Sequence, residues 1–345
     1  MSGRLAPRTV LGLGLLLVTV AFMAGSARGA YAISPAQLWE VLASALSGTH
    51  NPSPEHLVFM NIRLPRLLLG VAAGAGLGMA GALMQGLFRN PLADPGLVGI
   101  SSGAALAAGV AIVLGSRWFP ELPRSLGSWT LVLMAFAGGL AVTLLIYALS
   151  QTESGTHIGL MLLAGVAVNA LAGAGLGFLN FIATDEQLRN LQFWLLGSLG
   201  GARWSAVGLV GAIVLLAACA GLVWARPLNA MALGEAQAAL LGVDVERVKR
   251  AVVGITALAV GAVCATTGII GFVGLIAPHW VRLVAGPDHR VVLPGSALLG
   301  AALVLGADAV ARTVVQPAEL PLGVLTAAIG VPMFLFMLRH FRGKV

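Results

Sequence analysis

The sequence predicts an all-α polytopic membrane protein with about ten transmembrane helices, and three observations lead there. Of 345 residues, 58% are hydrophobic and only 10% charged, where soluble domains carry roughly 25% charged residues. Apolar runs of about 18 residues or more recur along the chain, and each matches the hydrocarbon thickness of a bilayer. Glycine is abundant, with 46 residues, and much of it falls at the small-xxx-small spacing through which membrane helices approach closely. Gly70, Gly74 and Gly78 share one helical face, as do Gly173 and Gly177. With too little polar surface to cover a water-soluble globule, residues 1–345 read as a single transmembrane domain.

The first span runs from Thr9 to Ala24 and extends through the small residues Gly25, Ser26 and Ala27. Arg4 and Arg8 before it imitate a signal peptide, but the run exceeds the roughly 7–15 residues of a signal core, and Arg28 stands where cleavage needs small neutral residues. It is therefore expected to be retained. Further crossings fall near residues 65–87, 97–115, 128–148, 158–181, 205–224, 251–269, 272–286, 291–311 and 321–338. An even count returns both termini to one side. Placing them in the cytoplasm puts more than half of the 20 Lys and Arg residues inside, among them Arg89, Arg226, Arg247, Lys249, Arg250, Arg282, Arg290, Arg339, Arg342 and Lys344, which favours that orientation.

Three polar stretches interrupt the spans. Residues 34–60 begin with Ser34 as a helix cap and Pro35 at the first helical position, followed by Leu38, Trp39, Val41, Leu42 and Leu46 at helical spacing. They predict an amphipathic helix on the outer surface. Residues 183–204 hold Asp185, Glu186, Arg189, Phe193, Trp194 and Trp204, suiting a short external element. Residues 226–250 are the one sizeable polar stretch on the inner side, and they predict two short helices broken near Gly234. A simple connection needs only a few residues, so this segment reads as a docking surface. A weak internal echo also relates Pro95–Leu106 to Pro294–Leu303, a hint of duplication.

Several chemistries are excluded. The only lysines are Lys249 and Lys344, and no GxxxxGK[ST] loop exists, so ATP-driven work needs another subunit. The six histidines (His50, His56, His157, His279, His289, His340) form no metal-binding pair, and neither Cys219 nor Cys264 has metal or disulfide spacing. No metal, cofactor or catalytic residue is expected. Gly99-Ile100-Ser101-Ser102-Gly103 matches the nucleophile pattern of serine hydrolases, but it starts a helix after a Pro/Asn-rich turn and no His/Asp pair accompanies it. The charge of +7 comes from scattered arginines, which argues against nucleic acid as a partner and suits anchorage beside anionic lipid. Within the spans almost no ionisable residue appears, Asp308 lying near an outer end, so proton or sodium coupling is not expected.

Taken in order, these stretches resemble the permease family of ABC importers for vitamin B12, iron siderophores and haem, the type II importer permeases. The resemblance is carried by Arg63-Leu64-Pro65-Arg66, Gly81-Ala82-Leu83-Met84-Gln85, Arg89 to Gly103, Leu228 to Gly242, Gly271 to His279, Asp288-His289-Arg290, Asp308 with Arg312, and Glu319-Leu320-Pro321-Leu322-Gly323. It implies a type II ABC importer permease fold: a homodimer of ten-helix subunits in the bacterial inner membrane, with the pathway along the twofold axis. Two cytoplasmic ATPase subunits and a periplasmic binding protein are the implied partners. Arg63, Arg66 and Arg312 match arginines that meet acidic residues of the binding protein. The stretch with Leu228, Asn229, Leu233, Gly234, Glu235, Leu241 and Gly242 matches the paired helices that enter a cleft of the ATPase. Gln85, Asn90, Asn169 and Trp194 are the expected pathway residues. The segments Asp185–Gly201 and Leu97–Gly103 look closest to haem permeases, so haem is the expected substrate, with ferric siderophore or cobalamin as alternatives. His50 and His56 are read as bystanders. A secondary transporter or channel is the alternative from another class.

Overall fold

Prolines and small polar caps set several helix starts in this chain, and a computed structural model shows where they lead. It describes residues 4–27, 29, 31, 33–47, 53–118, 121–153, 155–315 and 318–342; Arg28, His50 and Lys344 lie outside the described residues. Helix α1 (Pro7–Ala27) opens on a proline, as does α2 (Pro35–Ser47). At α2 the Ser34 hydroxyl accepts from the Gln37 amide at 3.3 Å while the Gln37 side chain accepts from the Ser34 amide at 2.9 Å, a reciprocal cap. Ser53 caps α3 (Pro54–Val58), which passes through a π-helical turn, Phe59–Arg63, into the 24-residue α4 (Leu64–Leu87). Asp94 then caps a 3-10 turn, Pro95–Val98, that delivers the chain to α5 (Ile100–Val113).

Two short pieces, α6 (Gly115–Trp118) and α7 (Glu121–Leu126), lead to α8 (Trp129–Leu149). A two-strand hairpin, β1 (Gln151–Thr152) and β2 (Gly155–Thr156), joins α8 to α9 (Ile158–Ile182). Next come α10 (Asp185–Leu195), opened by a Thr184/Gln187 capping box, and α11 (Trp204–Val223). The inner polar stretch forms α12 (Ala225–Met231) and α13 (Glu235–Leu240). The chain ends with α14 (Val245–Thr267), α15 (Val273–Ala285), α16 (His289–Ala311) and α17 (Leu322–Arg342).

Each of the ten expected crossings coincides with a helix: α1, α4, α5, α8, α9, α11, α14, α15, α16 and α17. Among the described residues seven are long and apolar enough to span a bilayer, whereas α5, α15 and the apolar part of α17 are shorter. With 14 and 13 residues, α5 and α15 reach only about 20 Å at 1.5 Å per residue, short of the roughly 30 Å core. The remaining depth before each is covered by irregular backbone packed inside protein, the turn at Pro95–Val98 and the link from Gly268 to Phe272.

Helices α4, α14 and α16 are mostly buried and form the centre; α1, α8, α9 and α11 turn most of their surface outward. That outward surface is apolar, with Leu163, Val166, Leu171 and Phe181 of α9 among its exposed side chains, as lipid contact requires. Glycines make the central crossings. A methyl at Gly78 would strike the Ser296 carbonyl of α16, and one at Gly81 the backbone of Gly274 in α15. The second glycine stripe corrects its expectation: Gly173 and Gly177 face open space, so nothing within this subunit packs on them. The two copies of the sequence echo fall on the third and ninth of the ten crossings, at α5 and α16.

Candidate functional site

One end of the bundle gathers the chain's inner polar stretch. Gly234, with φ +118, separates α12 from α13, and a side chain there would collide with the Gln237 amide. Leu228 of α12 is fully buried, whereas Leu233, Leu240 and Leu241 stand exposed around the break. Gly242 turns the chain toward α14 with φ +81. Asn229 anchors α12: its amide donates to Asp288 at 2.7 Å, and its carbonyl oxygen accepts from the His289 backbone amide at 2.9 Å. Arg290, hydrogen-bonded to Asp288, holds that carboxyl well below the usual carboxylate range.

A second node anchors α13. The Lys249 ammonium donates to Glu235 at 2.7 Å, to Glu246 at 3.1 Å and to the Thr156 carbonyl at 2.7 Å. Glu246 in turn accepts from the Thr156 amide and hydroxyl, at 3.0 and 2.7 Å. The N-terminal segment comes to this same end, where the Leu5 amide donates to the Val284 carbonyl and Arg4 lies against Gly286.

The three arginines expected to dock a binding protein do come together, at the opposite end, but they are buried. Arg66 spreads its guanidinium over two carboxylates, Asp308 at 2.8 Å and Glu319 at 2.8 Å. Arg312 meets the other Asp308 oxygen at 3.0 Å and donates to the Gly25 carbonyl at 3.3 Å. Arg63 donates to the carbonyls of Ser26, at 2.7 Å, and Tyr31. With residue exposures of 4, 8 and 8% for Arg63, Arg66 and Arg312, all three guanidinium groups are taken up by contacts within the subunit. The reason is electrostatic: the α1 C-terminus carries unsatisfied carbonyls and a partial negative charge that Arg63 and Arg312 satisfy, while Asp308 needs cations to remain buried. Pairing with Arg66 holds Glu319 below its ordinary carboxylate value.

The expected pathway residues do not form one set. Gln85 is buried between α4 and α15, donating to the Gly274 and Leu275 carbonyls at 3.3 Å and accepting from Arg282, which makes it a packing residue. Asn90 caps its own turn through the Leu92 amide at 2.9 Å. Asn169 fastens α9 to the turn before α5, donating to the Gly96 carbonyl at 3.3 Å and accepting from Ser102; Ser101, the nucleophile position of the hydrolase-like pattern, lies 3.9 Å from the Cys264 sulfur. Trp194 lines a cavity of about 270 Å³ between α8, α11 and α14, with Trp129, Arg203 and Thr266. Sequence reasoning missed Phe272, which adopts φ +66 where glycine is favoured, with its ring seated on Gly330 of α17. Among the described residues no cluster of His, Cys, Asp and Glu could hold a metal ion.

The profile of the FecCD transport family matches residues 15–340. The chain belongs to the FecCD transport family. This FecCD permease is similar to the hemin transport system permease protein HmuU of Yersinia pestis, 44% identical over 342 residues, covering 99% of this chain and 98% of that protein. It is also similar to the cobalamin import system permease protein BtuC of Halobacterium salinarum, 43% identical over 84% of this chain and 75% of that one. Its fold matches a solved structure described as an inward-facing conformation of a metal-chelate type ABC transporter, with TM-score 0.84, 30% identity and coverage of 97 and 100%. This FecCD permease is accordingly a multi-pass, all-α transport subunit of an ABC importer, with the type II permease fold.

Proposed function

We propose that this FecCD permease imports haem into the cytoplasm across a bacterial inner membrane, as a homodimer driven by two ATPase subunits and fed by a periplasmic binding protein. The observation that carries the choice of haem is the near end-to-end match to HmuU, which extends over 99% of this chain where the cobalamin relative covers 84%. Haem is a flat apolar ring with two carboxylates. A passage lined by leucine, methionine, glycine and alanine with few charges would let such a molecule slide without a strong binding stop.

Helices α12 and α13 contact the ATPase, with exposed Leu233, Leu240 and Leu241 as their apolar contact surface. The opposite end receives the binding protein. There Arg63, Arg66 and Arg312 act by tying the ends of α1, α4 and α16 into one rim beneath the docking face. The open glycine face of α9 supports packing against a second copy across the twofold axis.

The test is uptake into proteoliposomes holding the permease, its ATPase and its binding protein. Haem is expected to accumulate only with ATP inside and binding protein outside, while a ferric siderophore and cobalamin do not accumulate. Entry of haem without the ATPase would show a channel and overturn the reading.

A further inference from the structure

Only two of the chain's 20 basic residues are lysines, and one of them, Lys249, is buried to 4% side-chain exposure in the first turns of α14. Its partners come from three separate elements: Glu235 begins α13, Glu246 lies in the first turn of α14, and the Thr156 carbonyl belongs to β2 between α8 and α9. Thr156 is held further by the Gln151 amide at 2.8 Å and by the Tyr147 hydroxyl at 3.2 Å, which extends the node to the end of α8. An ammonium has three donors and no acceptor, and here all three are used. A buried cation that loses a partner is costly, so the elements around it move together or not at all. An arginine would present a planar fork to three oxygens that arrive from three directions.

We propose that Lys249 is a positioning residue for transport: it makes a displacement of α13 into a displacement of the α8–α9 hairpin and of α14. This inference rests on reading α12–α13 as the ATPase contact. The second anchor of that segment, Asn229 to Asp288 and His289, runs to α16 and so leads to a different helix. Of the two polar anchors of α12–α13, the Lys249 node is the one that reaches the hairpin between α8 and α9. Helix α9 also leaves Gly173 and Gly177 open in this subunit.

The experiment measures substrate imported per ATP hydrolysed in proteoliposomes containing the complete importer, comparing wild type, Lys249→Met and Glu235→Gln. Lys249→Met keeps the length of the side chain and removes all three donors. Glu235→Gln leaves Lys249 with Glu246 and Thr156 and loosens α13 alone. The expected result is a Lys249→Met complex that co-purifies with its ATPase as wild type does and imports at least fivefold less per ATP, with at least a twofold reduction in Glu235→Gln read on the ATPase-bound complex. A wild-type ratio in Lys249→Met overturns the proposal, as does a parallel fall of import and hydrolysis, which a mere brace would give. Should Lys249→Met fail to assemble, Glu235→Gln decides, and a wild-type ratio there overturns it. A wild type that imports without ATP overturns the underlying coupling reading instead.

Discussion

Arg66 and Arg312 hold one carboxylate, Asp308, from two sides: Arg66 meets its Oδ1 at 2.8 Å and Arg312 its Oδ2 at 3.0 Å. Asp308 sits on α16, Arg66 on α4, and Arg312 also reaches the last turn of α1, so this single side chain joins three helix ends. Removing one partner of a buried ion pair costs about 3–5 kcal/mol. Asp308→Ala is expected to lower the thermal unfolding midpoint of the detergent-purified permease strongly; an unchanged midpoint would refute this role.

The same geometry separates a structural from a docking role for Arg66. A residue that only recognises a partner leaves the free protein's stability alone. Arg66→Glu is expected to destabilise the isolated permease, by thermal scan in detergent with no binding protein present, because it faces Asp308 and Glu319 with a third carboxylate. Exposed Arg203 serves as the comparison, and Arg203→Glu should shift the midpoint little.

Glu319 gives the node an acid limit. Its folded pKa lies below the ordinary value of 4.5 because Arg66 hydrogen-bonds the ionised form. The stabilisation is thus fully present above that ordinary value and is lost as pH falls through the lowered one. Glu319 is 44% exposed on its side chain, so the effect is small, under about 1 kcal/mol. Thermal midpoints compared between about pH 6 and pH 3 should fall less steeply in Glu319→Gln than in wild type.

Glycine positions divide into two kinds. Gly78 meets the α16 backbone, so Gly78→Leu should cost about 1–3 kcal/mol or more by overpacking and reduce the yield of folded protein. Gly173 meets nothing in the subunit, so Gly173→Leu should leave subunit folding intact and weaken the dimer. Size-exclusion chromatography with light scattering reads both outcomes. A dimeric Gly173→Leu protein with wild-type affinity would remove α9 from the interface.

Gly234→Trp tests the break between α12 and α13, since φ +118 disfavours any side chain there and a side chain would also displace that of Gln237. Membrane insertion should be unchanged, by fractionation, and import abolished. Full import would dissociate this segment from coupling.

The helices were legible in the sequence because bilayer thickness demands long apolar runs, and the break at Gly234 was legible because a glycine follows one short apolar pattern and precedes another. The ion pairs were not. Arg66 and Asp308 lie 242 residues apart, and nothing local to either says that they meet. A usable signal existed: Asp308 and Arg312 stand four residues apart at the end of an apolar helix, where a charge near the membrane needs a partner. Lys249 read as one of several inner-loop cations because its partners, Glu235 and Thr156, come from elements whose approach only the tertiary fold determines. Gln85 looked like a pathway residue because a lone amide in an apolar run suggests function, whereas here it satisfies carbonyls at a helix crossing.

The central claim, that this FecCD permease moves haem on behalf of an ATPase, is tested most directly by substrate-stimulated ATP hydrolysis in the complete importer reconstituted with its own binding protein. Haem-loaded binding protein is expected to raise the hydrolysis rate several-fold, with no response to a loaded ferric siderophore or to cobalamin. Stimulation by either of those and none by haem would contradict the account.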